Sequence, residues 1–504
     1  MMNRRNFCLS SVSAAALLRS SLGVAQGTPE SLALQVHTEE VGRISPDMIG
    51  LSYESTQLGD ASFFAAANKT LVSLFHTLSS RGVLRLGGNT SEFTYFAAGS
   101  NTAAPPWSPR PTQPAKLTPI TPLALRNLRE FLEATDWDCI YGLNLGTGTP
   151  ARAAQEAVAV TEALGPRLKY LQIGNEPNNY IRYLLRPDTW NERTYYNEWS
   201  TFAQAILQRL PNAKLGGPDM GADRPWMQLM ATEGVRDFGA NLVEITDHFY
   251  AEGPPSSPAS TIDNLLNNTK INHEIDVMVE AGATSHLPYR MTEVNSCYSG
   301  GKPLVSDTLA SALWAAELTL RLASLGFCGV NFHGGSAKLI KASLGGQLPG
   351  DDIASKEAND SYYTPIGGDA ANGYTAKPIF YGMLFASQVC NTTLLRTSFS
   401  KPQETISAYA MKSAGHESMQ VALFNKGAAD VEIALNAGPS NRKAVVQRLR
   451  GPSITAITDV KFGGATVDET GNWKPKEVEK LAVARDGHMR IAVPRSSAAL
   501  IHLS

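Results

Sequence analysis

The chain has 504 residues, of which 43% are hydrophobic and 18% are charged, so it can bury one large core and one smaller core. Its formal net charge of -2 offers no basic surface for nucleic acid, anionic lipid or a highly sulfated polymer. These values predict one or two globular domains and make nucleic acid and membranes unexpected partners.

The first 27 residues have the pattern of a twin-arginine signal peptide. Asn3-Arg4-Arg5-Asn6-Phe7 precedes an apolar stretch from Val12 to Leu22, and Gly23-Val24-Ala25 offers small residues for cleavage. The apolar stretch is too short and too rich in serine to span a bilayer. We therefore expect export through the twin-arginine pathway to the periplasm or the medium, without a membrane anchor.

From residue 47 to about residue 335, short apolar runs alternate with longer amphipathic stretches, as in repeated βα units. Eight runs are predicted as strands: Ile49–Glu54, Val83–Gly87, Cys139–Leu145, Tyr170–Gly174, Lys214–Pro218, Val243–Tyr250, Tyr289–Val294 and Gly329–His333. Eight such units predict an α/β fold, a closed (β/α)8 TIM barrel. A doubly wound open sheet is the alternative, although Leu51-Ser52-Tyr53-Glu54 lacks the glycine-rich phosphate loop that such a sheet carries after its first strand.

Helical spacing of alanine and leucine separates these strands. It predicts helices over Leu123–Thr135, Ala151–Leu164, Thr194–Leu210, Ile262–Ala281 and Asp307–Leu325. Residues 342 to 375 are rich in glycine, aspartate and asparagine and are expected to form a long loop on the catalytic face.

After about residue 376 the chain changes to short alternating strands, which predict an appended β-sandwich domain. The strands expected there are Thr405–Met411, Met419–Phe424, Val431–Leu435, Ala444–Leu449, Val460–Phe462 and Met489–Val493. The segment Ser31–Thr38 is also strand-like and can complete the same sandwich. The expected domain organisation is a signal peptide over 1–27, a joining strand over 28–46, the barrel over 47–388 and the β-sandwich over 389–504.

Five cysteines are present, and no pair has the spacing of metal ligands. Cys8 lies in the signal segment, and the others are Cys139, Cys297, Cys328 and Cys390. Buried thiols are expected, and a structural disulfide formed after export stays open. No metal and no cofactor is predicted.

Polar residues recur at the ends of the predicted strands, where burial is costly unless the group lines a barrel mouth or finds a partner. Two of them are glutamates: Glu176 after the fourth strand and Glu293 after the seventh. Hydrolysis of a glycosidic bond needs one protonated carboxyl at the leaving oxygen and one carboxylate facing the anomeric carbon. The pair therefore predicts a glycosidase whose two catalytic carboxyls are Glu176 and Glu293.

These motifs resemble glycoside hydrolase family 79, within the clan of retaining barrel glycosidases. The resemblance rests on Leu84-Arg85-Leu86-Gly87-Gly88-Asn89, on Asn175-Glu176-Pro177 and on the run from Thr292 to Gly301. The family contains β-glucuronidases and heparanases. The resemblance implies that Glu176 is the general acid/base, that Glu293 is the nucleophile, and that Asn175 binds the 2-hydroxyl of the sugar.

The resemblance also suggests a pocket for the carboxylate of a uronic acid. In the family, a tyrosine and backbone amides beyond the nucleophile hold this group, and Tyr298, Ser299 and Gly300 match them. Backbone amides in a glycine turn form an anion site, and a phenol adds a donor without a competing charge. Tyr362 or Tyr363, with Tyr363 preferred, can add a second phenol.

The remaining expected contacts are individual side chains at strand ends. Tyr250 matches the family's strand-six tyrosine, which hydrogen-bonds the nucleophile. Glu54 and Asn89 are expected to bind sugar hydroxyls, although Glu54 could instead pair with Arg85. His248 and His333 are expected to be structural histidines.

The sequence therefore predicts a retaining exo-β-glucuronidase that acts on oligosaccharides or polysaccharides containing glucuronic acid, with or without 4-O-methylation. An endo-acting, heparanase-like enzyme is the alternative, but it should carry clustered lysine and arginine for sulfated chains. A neutral-sugar β-glycosidase of the same clan and a non-catalytic carbohydrate-binding protein are further alternatives. The last does not need both glutamates.

Overall fold

The structure is a computed structural model that describes residues 31–111, 113–336, 339, 360–413, 418–436, 438 and 443–504. The predicted signal segment and residues 342–359 of the predicted loop lie outside these ranges. In chain order the strands are β1 (Ser31–Arg43), β2 (Ile49–Glu54), β3 (Gly82–Gly87), β4 (Thr94–Phe96), β5 (Thr118–Ile120), β6 (Trp137–Leu143), β7 (Leu168–Ile173), β8 (Leu215–Gly221), β9 (Leu242–Glu252), β10 (Tyr289–Cys297), β11 (Gly329–Gly334), β12 (Ile366–Asp369), β13 (Gly373–Ala376), β14 (Thr392–Phe399), β15 (Ile406–Ser413), β16 (Met419–Asn425), β17 (Val431–Asn436), β18 (Lys443–Arg450), β19 (Lys461–Phe462), β20 (Glu479–Ala482), β21 (His488–Val493) and β22 (Ser497–Leu503).

The α-helices of the described residues connect and cover these strands. They are α1 (Lys69–Leu78), α2 (Pro122–Thr135), α3 (Pro150–Leu164), α4 (Glu192–Arg209), α5 (Arg224–Leu229), α6 (Val235–Phe238), α7 (Ile262–Leu266), α8 (Ile271–Ser285), α9 (Leu309–Ser324) and α10 (Pro378–Ser387). The ends of several of these helices are set by capping residues and by prolines in the first turn. At α2, for example, Thr121 accepts the amide of Ala124 and proline occupies the first turn.

Eight parallel strands form the predicted closed barrel. Their order around it is β10-β11-β2-β3-β6-β7-β8-β9, so the last strand of the series, β11, pairs with the first, β2. All eight predicted strands are observed, with ends shifted by a few residues. The doubly wound alternative is wrong because the sheet closes. Closure also places the carboxyl ends of all eight strands at one mouth.

Two sequence expectations for the connections need correction. The helix predicted over Ile262–Ala281 is two helices, α7 and α8, because Asn268 lies between them and donates to the carbonyl of Ala251 and to Glu252. The described end of the predicted 342–375 loop contains regular structure, the antiparallel hairpin of β12 and β13.

The appended β-domain is one sheet of ten strands that curls around its own core. The order β19-β18-β22-β16-β15-β14-β1-β17-β21 has β20 paired to β18. β1 lies between β14, which is antiparallel to it, and β17, which is parallel. The predicted sandwich strands are present. Sequence analysis did not identify β14, β20 or β22, although β22 is central in the sheet.

Each of the two units has a hydrophobic core. The larger core fills the space between barrel and helices and extends to α10 and the adjoining face of the β-domain. The smaller one lies inside the curled sheet, between residues such as Leu34, Leu423, Ile433 and Ile501. The four cysteines that the structure describes are free thiols. A membrane-spanning helix was sought among the described residues, and none was long and apolar enough.

Candidate active site

The two predicted glutamates meet at the carboxyl-terminal mouth of the barrel. Glu176 follows β7 and Glu293 lies in β10, the fourth and seventh barrel strands in chain order. One oxygen of each carboxylate and one ring nitrogen of His248 all lie within 4.8 Å of one another. This spacing is close to the carboxyl separation of about 5 Å in retaining glycosidases, whereas inverting enzymes need roughly 6.5–9.5 Å to admit a water.

Glu293 is surrounded by hydrogen-bond donors and positive charge. Arg85 donates to its Oε2 at 2.7 Å, and the Tyr250 hydroxyl donates to its Oε1 at 2.7 Å. Burial raises the pKa of this carboxyl, whereas the charges of His333, His248 and Arg85 and the phenol bond lower it more, to about 2. Glu293 is therefore ionised at neutral pH, the state that a nucleophile requires.

Glu176 lies in a left-handed turn directly after β7, with φ 44° and ψ 54°. Its amide donates to the carbonyl of Asp219 at 2.8 Å. Asn179 donates to Oε2 at 3.0 Å, and Nδ1 of His248 lies 3.2 Å from Oε1. Its side chain is 18% exposed, against 8% for Glu293. The more exposed carboxyl can reach a leaving group that projects out of the barrel.

His248 was expected to be a structural histidine, but the structure places it against Glu176. Its Nε2 lies 2.9 Å from Oδ1 of Asp219, so the ring bridges two carboxylates. Sequence analysis did not single out Asp219, which follows the fifth predicted strand. A charged residue at that position was the signal that could have revealed it.

Glu92 is a second functional residue that sequence analysis missed. Its carboxylate is 1% exposed and accepts the amide of Asn175 at 2.6 Å, the amide of Gly146 at 2.5 Å and the hydroxyl of Tyr180 at 2.7 Å. Burial raises its pKa to about 7, although these three bonds and Arg186 oppose the shift. Glu92 therefore ties the residue before Glu176 to the neighbouring strand end.

The residues expected to bind sugar hydroxyls form one connected group. Asn175 donates to Oδ1 of Asn89 at 2.9 Å, and Arg85 donates to Oδ1 of Asn175 at 2.7 Å. Glu54 accepts the amide and the hydroxyl of Thr90 at 2.9 and 2.7 Å. The alternative pairing of Glu54 with Arg85 is wrong, because Arg85 binds Asp219 and Glu293.

Three tyrosines named by the sequence analysis form a cluster around Tyr250, which donates to Glu293. The ring centroid of Tyr250 lies 6.3 Å from that of Tyr298 and 6.1 Å from that of Tyr363. His333, expected to be structural, is 1% exposed, contacts the Tyr363 ring at 5.9 Å and lies 3.0 Å from the Ser52 hydroxyl. The structure therefore favours Tyr363 over Tyr362 as a wall of this pocket.

The predicted turn after the nucleophile has left-handed backbone at Ser299, Gly300 and Gly301, with φ of 59°, 86° and 83°. The carbonyl of Gly300 accepts the amide of Tyr362 at 2.7 Å, which fixes the turn against the loop after β11. The Ser299 hydroxyl is buried and has no hydrogen-bond partner among the residues the structure describes. A buried hydroxyl of this kind is a site where a polar ligand atom can bind.

Glu176, Glu293 and His248 also lie as close together as the ligands of a metal ion do. Both ring nitrogens of His248 are directed at carboxylates, at 2.9 and 3.2 Å, so each nitrogen is placed to donate a hydrogen to a carboxylate rather than to bind a metal. The arrangement is therefore better suited to holding and moving protons than to coordinating an ion.

Comparison with known proteins agrees with this geometry. The profile of the glycosyl hydrolase family 79 C-terminal beta domain matches residues 408–500. A β-glucuronidase of Aspergillus niger is 25% identical, over 96% of this chain and 94% of its own length. A heparanase of Rattus norvegicus is 26% identical over 38% of this chain and 37% of its own length. The crystal structure of a 4-O-α-L-rhamnosyl-β-D-glucuronidase from Fusarium oxysporum superposes with a TM-score of 0.72 at 18% identity, covering 94% of this chain and all of that one.

A closed (β/α)8 barrel with an appended β-domain and two facing carboxylates at its mouth defines a glycoside hydrolase. The profile match over the β-domain and the similarity along the whole chain indicate which family of glycoside hydrolases is meant. Residues 408–500 match the C-terminal beta domain of glycosyl hydrolase family 79, and the similarity along the whole chain to a β-glucuronidase supports the same family for the barrel.

Proposed function

We propose that this protein is a retaining exo-β-glucuronidase that hydrolyses terminal β-linked glucuronic acid, with or without 4-O-methylation. The observation that carries the proposal is the pair Glu176 and Glu293, with carboxylate oxygens within 4.8 Å of each other and different surroundings. Glu293 is held ionised by Arg85 and Tyr250, whereas Glu176 is more exposed.

In the first step, Glu293 attacks the anomeric carbon while Glu176 gives its proton to the glycosidic oxygen. The bond to the leaving group breaks, and a covalent glycosyl-enzyme forms on Glu293. In the second step, Glu176, now a carboxylate, takes a proton from a water, which attacks the same carbon and releases the sugar. Asn175, bonded to Arg85 and Asn89, is placed to bind the 2-hydroxyl.

The uronic acid specificity is supported by the pocket beside Glu293. Tyr298 and Tyr363 contact Tyr250, which donates to Glu293, and the Ser299 hydroxyl is buried in the adjoining turn; none of the three adds a negative charge. Phenol and hydroxyl donors suit a carboxylate, whereas a neutral hydroxymethyl group gains less from them. The full-length relative from Aspergillus niger is named as a β-glucuronidase, which agrees with this assignment.

A heparanase-like endo activity is less well supported. Sulfated chains require free cations along the cleft, and the formal net charge is -2. At the barrel mouth, Arg85 is paired with Asp219 and Glu293, and Arg186 is paired with Glu198. The similarity to a heparanase also covers only 38% of this chain.

A panel of nitrophenyl glycosides tests the proposed substrate, and proton NMR of the first sugar released tests the stereochemistry. We expect hydrolysis of the β-glucuronide to exceed that of the β-glucoside, with the β-anomer appearing first. Preference for the glucoside would contradict the substrate, and initial release of the α-anomer would contradict the double displacement.

We further propose that residues 1–27 direct export through the twin-arginine pathway to the periplasm or the medium, because Arg4 and Arg5 precede an apolar stretch. Replacing Arg4 and Arg5 together by lysine should retain the protein in the cytoplasm, as measured by cell fractionation. Equal export of the variant and the unchanged chain would contradict this assignment.

A further inference from the structure

Asp219 lies at the centre of the barrel mouth and is 1% exposed. Its Oδ2 accepts from Arg85 at 2.5 Å. Its Oδ1 accepts from Gln172 at 2.5 Å and from Thr292 at 2.7 Å, and it lies 2.9 Å from Nε2 of His248. Four side chains thus converge on one buried carboxylate, and two of them are basic.

Each basic partner of Asp219 also contacts one of the two glutamates. Arg85 donates to Glu293 at 2.7 Å, and Nδ1 of His248 lies 3.2 Å from Glu176. The backbone carbonyl of Asp219 additionally accepts the amide of Glu176 at 2.8 Å. Asp219 is therefore connected to both glutamates without contacting the position where bonds break.

The protonation state of His248 decides what its Nδ1 can do for Glu176. An imidazolium donates to Oε1 of Glu176, so the catalytic proton lies on Oε2, which still accepts from Asn179 through a lone pair while its own hydrogen points to the leaving group. A neutral ring keeps its hydrogen on Nε2, toward Asp219, and offers a lone pair at Nδ1. Protonated Glu176 would then donate to His248, and its proton would be withheld from the glycosidic oxygen.

We infer that Asp219 is a positioning residue that keeps His248 doubly protonated, so that His248 donates to Glu176 and leaves the catalytic proton available to the leaving group. This inference rests on the proposed function and assigns a role in the same site to residues that do not bind the sugar.

The surroundings of His248 support its charge. Burial lowers its pKa, but the charge and hydrogen bond of Asp219, the bond to Glu176 and the charge of Glu293 raise the pKa to about 10. Arg85, whose Nη2 lies 3.5 Å from Nε2, opposes this with its positive charge, and Asp247 precedes His248 in β9. The carboxylates on β8, β10 and the turn after β7 therefore outweigh the one cation on β3.

The charge of His248 can be read directly by NMR of the protein labelled with 15N at its histidine rings. The chain has nine histidines, and His248→Gln assigns the signal by its disappearance. We expect two protonated ring nitrogens on His248 at pH 8 in the unchanged protein, and a neutral ring at the same pH in Asp219→Asn. A neutral His248 at pH 7 in the unchanged protein would overturn the inference.

Kinetics test the consequence for Glu176. Asp219→Asn should lower kcat/KM for a poor leaving group more than for an activated aryl glycoside, and the difference should grow about tenfold or more between pH 6 and pH 8. Thr292→Val is the matched control, because it also removes a bond to Asp219 but leaves His248 in place. It should change the rate by the same factor at every pH and for every leaving group.

Equal losses at all pH values for Asp219→Asn would overturn the inference, since a structural role alone predicts them. The substrate for these measurements is whichever nitrophenyl glycoside the unchanged protein hydrolyses best. A preference for a glucoside would contradict the proposed substrate but leave this test intact, and the NMR measurement decides the charge of His248 even without turnover.

Discussion

Glu176 and Glu293 are chemically identical side chains whose surroundings make them different. Glu293 accepts from Arg85 and Tyr250 and is nearly buried, so its negative charge is stabilised before any substrate arrives. Glu176 contacts Asn179 and His248 and keeps part of its surface open. Divergent surroundings of this kind are how two carboxyls take the roles of nucleophile and acid at one pH.

The nucleophile assignment predicts the behaviour of Glu293→Gly. Removing the carboxylate should lower kcat by roughly a thousandfold or more, because no covalent intermediate can form. Azide, a small anion, fits the space left by the side chain and should restore turnover with an aryl glycoside, giving a glycosyl azide that mass spectrometry detects. A variant that keeps near-normal activity without azide would contradict the assignment.

The acid/base assignment predicts a different pattern for Glu176→Ala. The loss should reach about 10²–10⁴-fold for a leaving group that needs protonation, and should be far smaller in the first step for an activated aryl group. The measurement is kcat/KM across a series of aryl glycosides of increasing leaving-group pKa. A loss that is equal across the series would count against a proton donor at Glu176.

Tyr298→Phe tests the uronate pocket. A hydrogen bond to a charged group is worth about 1.5–3 kcal/mol, which corresponds to about a ten- to hundredfold effect on kcat/KM. We expect that loss with an aryl β-glucuronide and almost none with the matching β-glucoside, because the glucoside lacks the carboxylate. The ratio of the two activities is measured, and an equal loss on both would remove Tyr298 from the pocket.

At the scale of elements, several residues of the site have left-handed backbone at or near the ends of barrel strands. Glu176 after β7, Asp219 near the end of β8 and Ser299 after β10 all have positive φ. Such conformations cost about 1–2 kcal/mol for a residue with a side chain, so they persist only where neighbours fix them. Around Glu176 the backbone is fixed by two hydrogen bonds: the amide of Asn175 donates to Glu92, and the amide of Glu176 donates to the carbonyl of Asp219.

A substitution at Gly301 tests whether the turn after Glu293 shapes the proposed substrate pocket. Its φ is 83°, and a Cβ there would lie 2.7 Å from the backbone nitrogen of Tyr363, which cannot move without moving the pocket wall. Gly301→Ala should therefore lower the preference for glucuronide over glucoside and lower Tm. Gly373 is the matched control, because its φ is 87° and a Cβ there meets nothing within 4 Å.

Gly373→Ala carries the same backbone strain without the collision. We expect it to lower Tm slightly and to leave the substrate preference unchanged, as measured with the two aryl glycosides. If Gly301→Ala and Gly373→Ala behave alike, backbone strain alone explains the effect, and the contact between the turn and the Tyr363 loop does not shape the pocket.

At the scale of the whole molecule, apolar periodicity was sufficient to predict the barrel. Parallel strands that are buried on both faces read as continuous apolar runs, so strands such as β6, whose residues Cys139–Leu143 fall within the predicted range Cys139–Leu145, stand out. β22 was missed although Pro494 marks a turn before it, because the run Ala498-Ala499-Leu500-Ile501 lacks the alternation of apolar and polar residues by which the other β-domain strands were recognised. Its position is set by pairing with β16 and β18, which sequence does not display.

The meeting of Glu176 and Glu293 was predictable, because each stands at the end of a predicted strand and the carboxyl ends of barrel strands share one mouth. Asp219, His248 and Glu92 were harder, because their importance comes from partners on other strands. Glu92 and Asn175 are 83 positions apart in sequence, and His248 and Asp219 are 29 apart. Strand order brings them within hydrogen-bond distance: β8 pairs with β9, and Glu92 and Asn175 follow β3 and β7, which both flank β6.

Glu156 lies away from the candidate active site and tests how a buried carboxyl changes the folding stability with pH. Its carboxyl lies on α3, is 4% exposed, and accepts the hydroxyl of Tyr141 at 2.7 Å. Burial raises its pKa from 4.5 to about 7, although the bond from Tyr141 opposes the shift. It borders a cavity of about 120 Å³ together with Asn144 and Thr147.

Because the pKa of Glu156 is higher in the folded protein than in the unfolded chain, the folded state binds its proton more tightly. Its contribution to stability is therefore complete below about pH 4.5 and is lost as the pH rises through 7, at a cost on the order of 3 kcal/mol at pH 9. Glu156→Gln keeps an acceptor for Tyr141 and has no charge to bury, and its amide can face the cavity. We expect a higher Tm than the unchanged protein at pH 9, little difference at pH 5, and unchanged glycosidase activity, measured by thermal unfolding across this range. A Tm difference that is the same at both pH values would show that the carboxyl of Glu156 does not titrate in the way its burial requires.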